Sequence, residues 1–237
     1  MLATPELLRT FELFHGLRAE DIEYLCSKSA VERHARRSVI LKAGVTENRV
    51  CMLFEGRLQG VDFTIDGKEV GLYFVDPGNY CGELCVFDPG KQTEHVIALN
   101  SSVVVLFAAE TIRAVAERNS EIMLALGTRL AHRIRQMAKQ RALLSLPNVA
   151  QRVCSQLWLM IPEPSQDSNK TVEIKNLPTH MEIAIMLNLS RETITRVFQQ
   201  LQRNRIVARV GQNRLAIEDV PALQRIAEGI KKPDIVK

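Results

Sequence analysis

A chain of 237 residues can hold one large domain or two small ones, and 46% hydrophobic with 24% charged residues marks it as globular rather than disordered. No run approaches the roughly 20 apolar residues that a spanning helix needs. The start, MLATPELLRTFELF, lacks the basic-then-apolar order of a secretory leader, so a cytoplasmic protein without a membrane partner is expected. The formal charge of +4 is too small by itself to identify a polyanion-binding protein.

Pro5 to His15 reads as a short helix, with Leu7, Leu8, Phe11 and Phe14 at helical spacing, and Asp21 to Ser27 as a second short amphipathic stretch. From Val31 to about Phe107 short apolar runs alternate with turn signals at Ala43-Gly44, Glu55-Gly56, Asp66-Gly67, Asp76-Pro77-Gly78 and Asp88-Pro89-Gly90. That spacing predicts an antiparallel sandwich or barrel, and Asp66-Gly67 is its cleanest hairpin signal. The five cysteines, Cys26, Cys51, Cys81, Cys85 and Cys154, lie scattered in apolar context, as reduced core thiols do.

A single helix is expected from about Glu110 to Ser145, uninterrupted by proline and about 50 Å long at the usual rise. Met123, Leu126, Leu130, Ile134, Met137 and Leu144 lie on its apolar stripe, which outlasts what a small barrel could cover. They are therefore expected to line a coiled-coil seam with a second copy of the chain. Pro147 opens a further helix to about Met160, Glu163 to Lys170 is loop-like, and Thr171 to Ile174 is a short strand.

Pro178 to Val210 reads as helix, tight turn, helix and β ribbon. Thr179 caps the first helix and Glu182 completes a capping box. Asn188 stands where a left-handed residue is needed, and Ala184 is small enough to let two helices cross closely. Ser190 caps a second helix, Arg191 to Arg203, with Ile194, Val197, Phe198 and Leu201 facing inward. A hairpin through Gly211-Gln212-Asn213 follows as a wing. Between Leu177 and Ile217 six arginines stand against two glutamates, a local excess equal to the charge of the whole chain. A helix entering the major groove N-terminus first would present Ser190, Arg191, Glu192, Thr195 and Arg196 to double-stranded DNA. Arginine matches guanine O6 and N7, and glutamate accepts from cytosine N4. Arg203, Arg205, Arg209 and Arg214 are candidates for phosphate contact.

From about residue 10 to 217 the chain resembles the cAMP receptor protein and fumarate–nitrate regulator superfamily. The most specific match is Leu189-Ser190-Arg191-Glu192-Thr193-Ile194-Thr195-Arg196. The resemblance implies an α+β protein: an N-terminal β-roll like a cyclic-nucleotide-binding jelly roll (1–109), a long dimerisation helix (110–145) and a C-terminal winged helix-turn-helix (146–237). It further implies a homodimeric transcription regulator, not an enzyme, in which Arg191 and Arg196 read guanines and Glu192 a cytosine in TGTGA-like half-sites of an inverted repeat. RNA polymerase is an implied partner, with Glu47, Lys91 and His95 as candidate contacts.

Gly82-Glu83-Leu84 resembles the start of the family's phosphate-binding cassette, where the glutamate accepts from a ribose hydroxyl. The family's Arg-Ser is replaced by Thr93 and Glu94, with no nearby arginine expected to compensate, and the long helix offers Met137 and Ala138 at the purine. These departures argue against cyclic AMP. They leave open a cyclic dinucleotide or a small metabolite, haem on one of His15, His34, His95 or His132, a redox or metal site at Cys51, Cys81 and Cys85, or no ligand. A regulatory module of an enzyme is the rival reading. It would have no use for Arg191 to Arg196 beside a wing, and the chain has no glycine-rich phosphate loop, nucleophile elbow or HExxH spacing.

Overall fold

The computed structural model describes residues 1–161, 171–211 and 213–230. The loop expected at 163–170 lies outside them. The chain divides into two compact units, Met1–Arg135 and Gln136–Lys237.

In the first unit, α1 (Pro5–Leu8) and a 3-10 turn (Glu12–Phe14) replace the one helix expected to His15, and α2 (Ala19–Ser27) follows. The chain is extended at Phe11 (φ −91°, ψ 121°), which breaks the helix. Both Phe11 and Phe14 are buried, with Phe14 edge-on to Phe107 at 5.9 Å.

Eight strands come next: β1 (Ala30–His34), β2 (Val39–Leu41), β3 (Arg49–Glu55), β4 (Leu58–Phe63), β5 (Glu69–Val75), β6 (Tyr80–Cys81), β7 (His95–Ala98) and β8 (Ser102–Ala108). A one-turn helix, α3 (Leu84–Phe87), lies between β6 and β7. The strands form two antiparallel sheets ordered β1-β8-β3-β6 and β2-β7-β4-β5. The expected Asp66-Gly67 hairpin joins β4 to β5, with Gly67 at φ +77° donating its N–H to the Thr64 carbonyl at 2.8 Å.

The pleat splits β3 and β8 between two cores. Val50, Met52, Val105 and Phe107 pack against the helices, whereas Cys51, Leu53, Val104 and Leu106 pack against the second sheet. Burial on both faces is why these strands read as unbroken apolar runs.

The single helix expected from Glu110 to Ser145 is two: α4 (Ala109–Arg118) and α5 (Ser120–Leu144). Asn119 between them is extended (φ −133°, ψ 91°). Its Nδ2 donates to the Val115 carbonyl at 2.9 Å and to the Asp21 carboxylate at 3.2 Å. Asp21 is 1% exposed and also pairs with Arg118 at 3.3 Å. The apolar stripe runs on through this break, so periodicity could not register it.

The stripe also serves two purposes. Leu126, expected at the seam, is instead fully buried in the first unit's own core, and Met123 packs against that core. Leu130 and Leu144 are half-buried, while Ile134 and Met137 are exposed. Leu124, Gly127, Ala131, Ile134 and Ala138 follow one another at alternating three- and four-residue steps on an open face. Leu124 is 71% and Ile134 67% exposed, and a Cβ added at Gly127 would meet nothing within 4 Å.

The second unit holds α6 (Val149–Leu159), β9 (Val172–Lys175), α7 (His180–Leu187), α8 (Arg191–Arg203), β10 (Val207–Arg209), β11 (Arg214–Ile217) and α9 (Val220–Ala227). An antiparallel β10-β11-β9 sheet backs the helices, and β10–β11 is the expected wing, of which Gln212 lies outside the described residues. Ile183, Leu187, Ile194, Val197, Phe198 and Leu201 share one core.

The turn between α7 and α8 is built as its residues require. Thr179 Oγ1 accepts from the Glu182 N–H, and Glu182 Oε2 accepts from the Thr179 N–H at 2.8 Å. Asn188 is left-handed (φ 52°, ψ 49°), and Ser190 Oγ accepts from the Thr193 N–H at 3.2 Å. A β-branched residue is strained at such a φ whereas glycine is not, so Asn188→Val should lose about 1–2 kcal/mol relative to Asn188→Gly. Urea denaturation of the two variants checks this, and equal midpoints would contradict it.

Candidate nucleic-acid interface and effector cassette

At the N-terminal end of α8, Arg191, Glu192 and Arg196 are exposed. No ion pair engages any of them among the described residues, and the alternative pairing of Glu192 with Arg196 across one helical turn is not formed. Ser190 and Thr195 are differently placed. The Ser190 hydroxyl is occupied in capping, at 3.2 Å from the Thr193 nitrogen and 2.9 Å from the Thr193 hydroxyl. Thr195 Oγ1 donates to the Arg191 carbonyl at 2.9 Å and lies 2.9 Å from His180 Nδ1. With its proton directed at that carbonyl, Thr195 Oγ1 is the acceptor for an Nδ1–H of His180.

His180 was not singled out from the sequence. Its ring also packs on Phe198, with centroids 4.6 Å apart. Burial, then the charges of Arg209 and Arg191, lowers its pKa and favours the neutral imidazole. The basic residues behind α8 also divide. Arg203 and Arg205 are exposed, whereas Arg214 pairs with Glu173 of β9, Nη2 lying 3.0 Å from Oε2.

In the first unit the β-roll gathers a polar cluster of a different kind. Gly82 is left-handed (φ +80°), and a Cβ there would strike the Arg49 carbonyl and approach Leu41 Cδ1 at 2.9 Å, so the fold itself requires glycine. Glu83 and Glu94 are 1% and 3% exposed, respectively. Leu84 and Thr93 face outward. The two carboxylates share Arg133 of α5: Nη1 donates to Glu83 Oε1 at 3.2 Å and Nη2 to Glu94 Oε1 at 2.5 Å. Tyr73 Oη donates to Glu94 Oε1 at 2.6 Å, Thr93 Oγ1 donates to Glu94 Oε2, and the Arg133 guanidinium lies 3.9 Å from the centre of the Tyr73 ring.

An arginine does therefore stand beside Glu94, contrary to expectation. It comes from α5, one turn before Met137 and Ala138. Both of those residues are exposed and fall in the second unit. The available signal was Arg129 and Arg133, one turn apart on the same helix. Burial works against ionisation of Glu94, but Arg133 and the hydroxyls of Thr93 and Tyr73 outweigh it and lower its pKa. The Arg133 pKa is raised by its anionic neighbours despite burial, so the guanidinium stays charged.

Cys51, Cys81, Cys85 and Cys154 are buried core thiols by environment, and Cys26 is half-buried. Cys51 and Cys81 lie directly opposite each other on β3 and β6, both fully buried. The Cys51 thiol and burial raise the Cys81 pKa, burial pushes Cys85 up to about 11, and Cys154 rises to about 12. Among the described residues no three His, Cys, Asp or Glu side chains are grouped to hold a metal ion. The ring of His95 accepts from the Ala43 N–H at 3.4 Å and packs edge-on against Phe63, so it is engaged within the roll. No helix among the described residues is long and apolar enough to cross a membrane.

Comparison with known proteins agrees with both halves. Residues 31–119 match the family model of the cyclic nucleotide-binding domain, and residues 151–226 that of the Crp-like helix-turn-helix domain. The Cyclic AMP receptor protein of Thermus thermophilus is 24% identical over 218 residues, 92% of this chain and 97% of its own length. Among solved structures, a CooA variant from Carboxydothermus hydrogenoformans superposes with a TM-score of 0.75 at 14% identity, covering 96% of this chain and 98% of its own. The c-di-GMP-responsive global regulator CLP of Xanthomonas campestris superposes at 0.64 with 18% identity, covering 84% and 98%. With both domain types present in that order, the chain belongs to the cAMP receptor protein and fumarate–nitrate regulator superfamily of transcription regulators.

Proposed function

We propose that this regulator binds an inverted-repeat operator with TGTGA-like half-sites as a homodimer in the cytoplasm, and that its β-roll receives a signal other than cyclic AMP. The observation that carries the DNA assignment is the exposed Arg191, Glu192 and Arg196 at the capped N-terminal end of α8. A structural surface helix would pair such charges with each other. Left unpaired beside a wing, Arg191 and Arg196 suit guanine edges, and Glu192 suits a cytosine amino group. Arg203 and Arg205 suit phosphates, which set affinity without reading sequence. Because the hydroxyls of Ser190 and Thr195 are already committed, we assign those two residues to positioning the helix and His180 to holding Thr195.

The second copy is assigned to the face of α5 carrying Leu124, Gly127, Ala131, Ile134 and Ala138. Leucine and isoleucine alternating with small residues at heptad spacing suit a close helix pair. In functional terms we divide the chain at residues 109 and 145, giving a sensing roll, a dimer helix and a DNA reader. A signal in the roll can act only by favouring one dimer arrangement over another. In the favoured arrangement the two recognition helices stand about 34 Å apart, one turn of DNA.

Arg196→Ala should cost about 1–3 kcal/mol per half-site and relax base preference at one position, whereas Arg203→Ala should weaken all sequences alike and reduce the salt slope by about one. Competition gel shifts at two salt concentrations separate these outcomes, and unchanged discrimination in Arg196→Ala removes its reading role. Leu124→Glu with Ile134→Glu should give a monomer in sedimentation equilibrium without loss of helix content, and a persistent dimer refutes the seam. The lowered pKa of His180 means that the unfolded chain binds the proton more readily. Its contribution is complete above about pH 6.5 and is lost as the pH falls below that value. Urea denaturation between pH 5 and 7.5 should therefore show a steeper acid loss in the wild type than in His180→Gln.

A further inference from the structure

The chemistry around Arg133 is inverted relative to an anion site. A phosphate offers only acceptors and needs donors. Here two anions already stand against a single cation. Glu83 Oε2 is buried without a hydrogen-bond partner, although its Oε1 is held by Arg133. Thr93 Oγ1 and Tyr73 Oη both give their protons to Glu94. Two carboxylates face one guanidinium, so a further anion would enter a site that already carries an excess negative charge.

The same guanidinium comes from a helix that is fastened to the roll one turn earlier. Arg129 Nη1 donates to Asn79 Oδ1 at 2.8 Å and Nη2 to the Tyr80 carbonyl at 2.9 Å, with its guanidinium 4.7 Å from the centre of the Tyr80 ring. Arg133 repeats that arginine-over-tyrosine contact on Tyr73. A Cβ on Gly60 would collide with the Tyr73 ring, so a small residue on β4 makes room for the stack.

We propose that Arg133 is the resident occupant of the β-roll's effector cassette. Clasped by Glu83, Glu94 and Tyr73, it takes the place of a diffusible anionic effector and latches α5 to the roll, and Glu94 is the residue that excludes cyclic nucleotides. This rests on the regulator reading above, because only there does the position of α5 govern DNA binding.

The full-length chain is tested with cyclic AMP as the probe, by calorimetry and by amide exchange of residues 129–135. The wild type should show no binding tighter than about 1 mM, and the Thr93→Arg/Glu94→Ser variant should bind at least about tenfold more tightly. Glu94→Gln leaves one carboxylate against one guanidinium, so no buried charge is left without a counter-charge. It should speed exchange in residues 129–135 by about tenfold or more. Wild-type binding tighter than about 1 mM overturns the proposal, as does wild-type exchange in Glu94→Gln. The same samples are titrated onto a labelled duplex carrying an inverted repeat of TGTGA half-sites. Equal wild-type affinity with and without cyclic AMP supports the resident occupant, and a tenfold gain with cyclic AMP overturns it. Absence of DNA binding by every sample counts against the regulator reading instead, and the exchange rates then decide the role of Arg133 alone.

Discussion

The first unit depends on the pleat of two neighbouring strands. β3 and β8 send alternate side chains to opposite faces, and both faces are buried. One face closes the roll against the second sheet. The other seats the N-terminal helices, α4 and the start of α5. A one-residue slip in either strand would exchange the two sets and spoil both cores at once. This register also fixes the cassette: β6 pairs with β3, and Gly82 immediately after β6 lies against the Arg49 carbonyl of β3. Glu83 is buried because the strand before it has no freedom to move.

Charge is used in two opposite ways along the chain. In the roll, Arg133 is enclosed, and its hydrogen bonds and ring contact lie within the first unit. Such a cluster is costly to assemble and costly to break, because removing one partner leaves a buried charge uncompensated. On α8, Arg191 and Arg196 are left in water with no partner among the described residues. An unpaired surface arginine adds little to stability, but it loses nothing when it turns to a base edge. The first arrangement fixes a conformation, and the second keeps a valence open.

The helix-turn-helix was legible because each of its features is local. Thr179 and Glu182 find each other three residues apart, Asn188 tolerates a left-handed φ that most residues do not, and Ser190 caps the next turn. The wing and the Asp66-Gly67 hairpin were legible for the same reason. The break at Asn119 was not, since it is stabilised by Asp21 from 98 residues earlier. Leu126 likewise carried no mark distinguishing a residue facing its own core from one facing a second copy. His180 escaped notice because its value lies in reaching Thr195, 15 residues on and on another helix.

The amino-acid order by itself determined the succession of an antiparallel strand domain, a helical stretch and a helix-turn-helix with its wing, and the residues at the front of α8. These follow from periodicity, capping and turn chemistry, which act over a few residues. Only the tertiary structure decided what fills the cassette. Glu94 in the sequence is an anion where an arginine would be expected, which leaves the site without a cation. Folding brings Arg133 to it across 39 residues, and a charge buried this deeply must find its counter-charge wherever the chain can supply one.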